Sequence, residues 1–111
     1  LSQPQYDVYF KFQLSYTYTD ANGVEQYSIK GNLTREQAQA LLNDKNVTPE
    51  TLYGTKTVVD YSFINSQGER VESFGKEVTR AGLQSIKNDP NDILYAERYI
   101  EDEIPIYTQQ N

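Results

Sequence analysis

The chain has 111 residues, a length that suits one domain. Ten Lys and Arg stand against sixteen Asp and Glu, a net charge of −6, so phosphate repels the chain and direct nucleic-acid binding through a general basic surface is disfavoured. Cys and His are both absent, which excludes disulfides, thiolate catalysis, Cys/His zinc sites and any general acid–base pair that uses imidazole.

The absence of Cys leaves the compartment open, since cytoplasmic and extracellular locations both suit such a chain. No apolar run is long enough for a membrane-spanning helix, and no charged-then-apolar leader is visible. Met is absent as well and the first residue is Leu1, which reads as one end of a longer product from which a tag, a signal peptide or a neighbouring domain was removed.

Residues 1–5 read as a loose lead-in around Pro4. Val8, Phe10, Phe12, Leu14, Tyr16 and Tyr18 then alternate with polar residues, a period of two that predicts a strand with those six side chains inward. Asp20-Ala21-Asn22-Gly23 supplies turn chemistry, and residues 24–30 return as a second strand with Tyr27 and Ile29 on one face. Thr34 and Gln37 form a capping box, with Leu33 placed to staple against Ala38, so a short helix is expected to end near Asn43. Residues 44–48 read as a polar turn, and Thr48-Pro49-Glu50 as the cap of one further helical turn.

The same grammar then returns. Residues 60–91 align with residues 15–46 without a gap, the identities including Tyr16/Tyr61, Gly23/Gly68, Thr34/Thr79, Arg35/Arg80 and Asn43/Asn88. Thr57, Val59, Tyr61 and Phe63 form the inward face of a strand over residues 55–64, Gly68 turns it back, and the return strand carries Val71 and Phe74. Thr79 caps a second helix in which Gly82 replaces the capping-box residue, a substitution that close approach of another backbone would explain. Residues 93–107 alternate and are rich in Tyr and Ile, predicting a last strand with Pro105 at its edge or end; a helix opened by Asp89-Pro90 competes with that reading.

The expected fold is therefore α+β: residues 1–111 form a single two-layer domain, an antiparallel sheet of about five strands with two short helices on one face. It is built from an internally duplicated ββα unit in the order ββα–ββα–β. One copy alone would be marginal in water, because a hairpin and a short helix bury too little.

The candidate site residues are all for partner contact, and no catalytic, cofactor or metal residue is expected. Tyr9, Tyr27, Tyr95 and Tyr99 fall on strand positions where Tyr offers rigid contact area to a partner, although cross-strand pairing accounts for them equally. Arg35 and Arg80 repeat at the first helical position, where Arg opposes the helix dipole, and form a symmetric pair suited to an anion. Glu101, Asp102 and Glu103 concentrate the acidic charge, but they lack the spacing and the Gly-supported turn of a calcium loop. Asn32-Leu33-Thr34 and Asn46-Val47-Thr48 match the glycosylation pattern at the frequency chance predicts.

These features favour a non-catalytic protein-binding module, a small acidic inhibitor or regulator of the kind a bacterial mobile element or phage encodes, meeting a partner protein with a basic groove. An extracellular module of a bacterial surface or secreted protein is the second expectation. A carboxylate- and tyrosine-based enzyme or small-ligand carrier is the third. A homodimer through an open edge of the last strand or of residues 8–19 is a separate expectation.

Overall fold

The computed structural model describes residues 7–106. The lead-in at residues 1–5 and the polar tail at residues 108–111 lie outside the described residues, as does Tyr107. The element order is β1 (Tyr9–Thr19), β2 (Glu25–Leu33), α1 (Arg35–Asn43), β3 (Val47–Ile64), β4 (Arg70–Val78), α2 (Arg80–Asn88) and β5 (Ile93–Ile104). This is the expected two-layer α+β arrangement, five antiparallel strands with two short helices.

Strand β3 organises it. Leu52 faces both Leu14 of β1 and Ile104 of β5, whereas Val58 faces Glu77 of β4 and Arg98 of β5. A strand residue has only two lateral neighbours, so β1 and β4 take successive stretches of one edge of β3 and β5 takes the other. Each helix covers the section of sheet that its own hairpin makes. Helix α1 closes a core of Phe12, Leu14, Tyr16, Leu33, Ala38, Leu52 and Ile104; α2 closes a second core of Val59, Tyr61, Val78 and Ile86. The two cores lie along one long strand, and the radius of gyration is 18.4 Å, against about 13 Å for a compact domain of 100 residues.

The length of β3 corrects the expectation for residues 44–54. Thr48, Pro49 and Glu50 belong to the strand and cap no helical turn. Val47, Thr51, Leu52 and Tyr53 favour strand, and pairing with β1 buries Leu52 almost completely. Pro49, which has no amide hydrogen to give, sits opposite Tyr16 where the register shifts, a place a sheet tolerates proline. A second shift, between Tyr9 and Lys11, corrects the inward face of β1. Tyr9 turns to the first core, while Phe10 leaves it and meets Tyr99, with ring centroids 5.7 Å apart.

The local signals are otherwise realised as read. The Thr34 hydroxyl accepts from the Gln37 amide at 3.1 Å and the Gln37 side chain accepts from the Thr34 amide at 2.9 Å. Thr79 accepts from the Gly82 amide at 3.0 Å. A Cβ at Gly82 would meet only the side chains of Thr79 and Val78, so tightness at the cap, rather than another backbone, accounts for this glycine. Asp89-Pro90 opens no helix, and β5 follows directly, ending just before Pro105.

The pairing register recurs at a spacing of 45 residues. Tyr16 faces Ser28 and Pro49, and Tyr61 faces Ser73 and Leu94. Phe12 faces Leu33 just as Thr57 faces Val78. The hairpin turns follow suit: Asp20 accepts from the amides of Asn22 and Val24, Asn65 from those of Gln67 and Glu69, all at 2.9 Å. Gly23 and Gly68 complete these turns with φ of 77° and 79°.

Candidate interaction surface

Where β1, β3, β4 and β5 meet, four polar side chains from four strands form one cluster. Lys56 of β3 lies 2.8 Å from Asp102 of β5 and also contacts Glu77 of β4. The Tyr9 hydroxyl of β1 donates to Asp102 at 3.0 Å. The Lys56 ammonium and then the Tyr9 hydroxyl hold the Asp102 carboxyl below its ordinary value. Burial, followed by the bond to Asp102, pushes Tyr9 up, and the two carboxylates, Asp102 before Glu77, push Lys56 up. Asp102 and Tyr9 therefore satisfy each other inside the fold, which reduces what either offers a partner.

Beside this cluster two recesses share Val8, Phe10 and Arg80. One, of about 250 Å³, is lined by Asp7, Tyr9, Thr34, Arg35 and Glu36 as well. The other, of about 180 Å³, adds Thr57, Val78, Leu83 and Tyr99. The two repeated arginines thus converge on one place, although they lie 45 residues apart in sequence. Asp7 answers Arg35 at 2.6 Å, so the first recess already contains an internal anion. Asp7 and Glu36 are both exposed, and this is not the buried apolar pocket that general acid–base work by carboxylates would need. No group of three or more metal-capable side chains occurs among the described residues.

The remaining candidates divide between surfaces. Glu101 faces Thr55 and Glu103 faces Tyr53 across the β3–β5 ladder, so these two side chains share one face while Asp102 takes the other. Tyr99, 65% exposed, shares the face of Glu101 and Glu103. Tyr95, 49% exposed, sits at a register shift and stacks with Phe74 of β4, which is 69% exposed, at 6.4 Å. Tyr27 stands apart on β2, next to Ile29, both more than half exposed.

Sequence reading did not single out Phe74 and Ile29 as surface residues. Ile29 on β2 and Phe74 on β4 occupy corresponding positions and are 56% and 69% exposed. It also passed over Lys56 and the pair Asp60–Arg98, where the Arg98 guanidinium at 2.6 Å and then the Gly75 amide depress the Asp60 carboxyl. Nothing in the local sequence marks those partners, because the ladder between β3 and β5 brings them together.

Strand β5 is the feature most open to a partner. Among the described residues it pairs only with β3, leaving its outer edge without a strand beside it, and it carries Tyr95, Tyr99, Glu101 and Glu103, all exposed. Strand β1, by contrast, is flanked by β2 and β3 over Phe12–Tyr18. No known protein family, curated protein or solved structure matches the chain.

Proposed function

We propose that the chain is a non-catalytic protein-binding module, a small acidic inhibitor or regulator that acts by surface contact. One observation carries this reading: Tyr99, Glu101 and Glu103 stand exposed on one face of a free edge strand. Aromatic area beside uncompensated acid suits a basic protein surface, the aromatic ring supplying burial and the acids supplying steering. Asp102, engaged by Lys56, takes no part in the contact. The recurrence of the pairing register at 45 residues supports the reading of the chain as two copies of one unit.

The test is retention of proteins on immobilised full-length chain, compared with a Glu101→Lys, Glu103→Lys variant and a Tyr99→Ser variant. A stoichiometric partner lost in both variants, and released by moderate salt, is the expected result. Retention that both variants leave unchanged would remove this surface from the account.

A second reading, an extracellular module of a bacterial surface or secreted protein, is favoured by the elongated shape, since extension suits spacing along a surface stalk. Retention of glycan or cell-wall material in place of a protein would move the balance to it.

A further inference from the structure

The free edge strands differ in charge. Strand β2 carries Glu25 against Lys30, and β4 carries Arg70 and Lys76 against Glu72 and Glu77, so both are balanced. Strand β5 carries Glu97, Glu101, Asp102 and Glu103 against Arg98 alone. It is also the longest of the three, with 12 residues against 9 and 9.

The fold itself shows what such an edge does. In the first unit, β2, β1 and the start of β3 lie side by side; in the second, β4, the end of β3 and β5 take the same places. The outer edge of β3 over residues 52–56 is covered by an added antiparallel strand, residues 100–104 of β5. The corresponding stretch of the second unit is residues 97–101, and no strand among the described residues lies outside it. The charges invert as well. Lys56 on the covered edge meets the acidic Asp102 of the strand that covers it, whereas the corresponding position on the open edge is Glu101.

We propose that the outer edge of β5, along residues 97–101, accepts an extended basic segment of a partner protein as an added antiparallel strand. The proposal rests on the protein-binding reading above and supplies its mode: ladder hydrogen bonds give affinity, and cationic side chains near the exposed Glu101 and Glu103 select the occupant, Glu97 being engaged already by Lys87 of α2 at 3.5 Å. The same acids disfavour a second copy of this chain, whose β5 would bring like charges together, so one charge pattern guards the edge against self-association and opens it to a basic strand.

The experiment is amide hydrogen exchange of the full chain, residue by residue, with and without a synthetic alternating lysine–threonine peptide. A control peptide of the same sequence carries N-methyl groups on alternate backbone nitrogens; it keeps the charge and loses the donors. Slowed exchange confined to β5, binding at least about tenfold weaker for the N-methylated peptide, and binding about tenfold weaker in the Glu101→Lys, Glu103→Lys variant are expected. Equal binding of both peptides, protection on β2 or β4 instead, or no binding at all would overturn the proposal. Protection of β5 that grows with protein concentration in the absence of peptide would make a second copy the occupant and overturn it too. A natural partner whose binding depends on Tyr99 and Glu101, yet leaves β5 exchange unchanged, would overturn strand addition and leave the protein-binding reading standing.

Discussion

Gly54→Ala is the sharpest test of how the two terminal strands are joined across β3. A Cβ at Gly54 would lie 2.6 Å from Ile104 Cδ1 and 2.7 Å from both Cγ and Cδ1 of Tyr9, whereas unstrained carbon contacts sit near about 3.5–4.0 Å. Ile104 can withdraw its terminal methyl by changing rotamer. The Tyr9 ring has less freedom, because its hydroxyl is held by Asp102 and its edge packs on Phe12. Overpacking of this kind costs about 1–3 kcal/mol, offset by about 0.4–1 kcal/mol from the reduced freedom of the unfolded chain. A net loss of roughly 1–2 kcal/mol lowers Tm by about 4–15 °C in a domain of this size. Urea and thermal unfolding, followed by circular dichroism, measure it directly. The same substitution made beside Ile104→Val, which removes the clashing methyl, should cost less than it does in the parent chain. An unchanged or raised Tm for Gly54→Ala would refute the close approach of β1, β3 and β5 at this point.

Other expected outcomes concern pH, caps and surface. Asp102 and Asp60 have depressed carboxyls, so the stability they contribute is present above their unfolded value near about 3.9 and is lost as pH falls through the folded values. Urea midpoints should therefore fall below about pH 4, with a shallower acid limb in Asp102→Asn. Thr34→Ala should cost about 1 kcal/mol and Thr79→Ala no more than that, since only the first belongs to a reciprocal capping box; chemical denaturation compares them. Ile29→Thr and Phe74→Thr should each leave stability within about 0.5 kcal/mol of the parent, because both side chains are more than half exposed. Leu14→Ala, at a fully buried position, should cost about 2–5 kcal/mol in the same assay.

What was legible in the sequence was whatever is encoded within a few residues. The turn at Asp20–Gly23, the box between Thr34 and Gln37, and the alternation from Phe12 to Tyr18 each state their structure locally, and the structure follows them. Sequence identities 45 residues apart extended this reach, since a local signal that is weak once is easier to read when it occurs twice. The failures occurred where a distant strand decides. Thr48-Pro49-Glu50 has fair helix-start chemistry, yet β1 lies alongside and Leu52 has a core to enter, so tertiary pairing overrides the local preference. Tyr9 and Phe10 exchange roles because one residue is bulged out, and period-two reasoning carries no information about a slip of that kind.

The candidate surface divides along the same line. Exposure of Tyr27, Tyr95 and Tyr99 could be anticipated from residue type and strand position. The loss of Asp102 to an internal cluster could not, because Lys56, Glu77 and Tyr9 come from three other strands. That cluster also bears on folding. Residues of both cores sit on β3, Leu52 in one and Val59 in the other, and the Lys56 cluster lies between them. Fraying of α2 can therefore remain local, but loss of β3 dissolves both cores together. Both cores draw a wall from the same strand, so a substitution that unpairs β3 is expected to loosen them together.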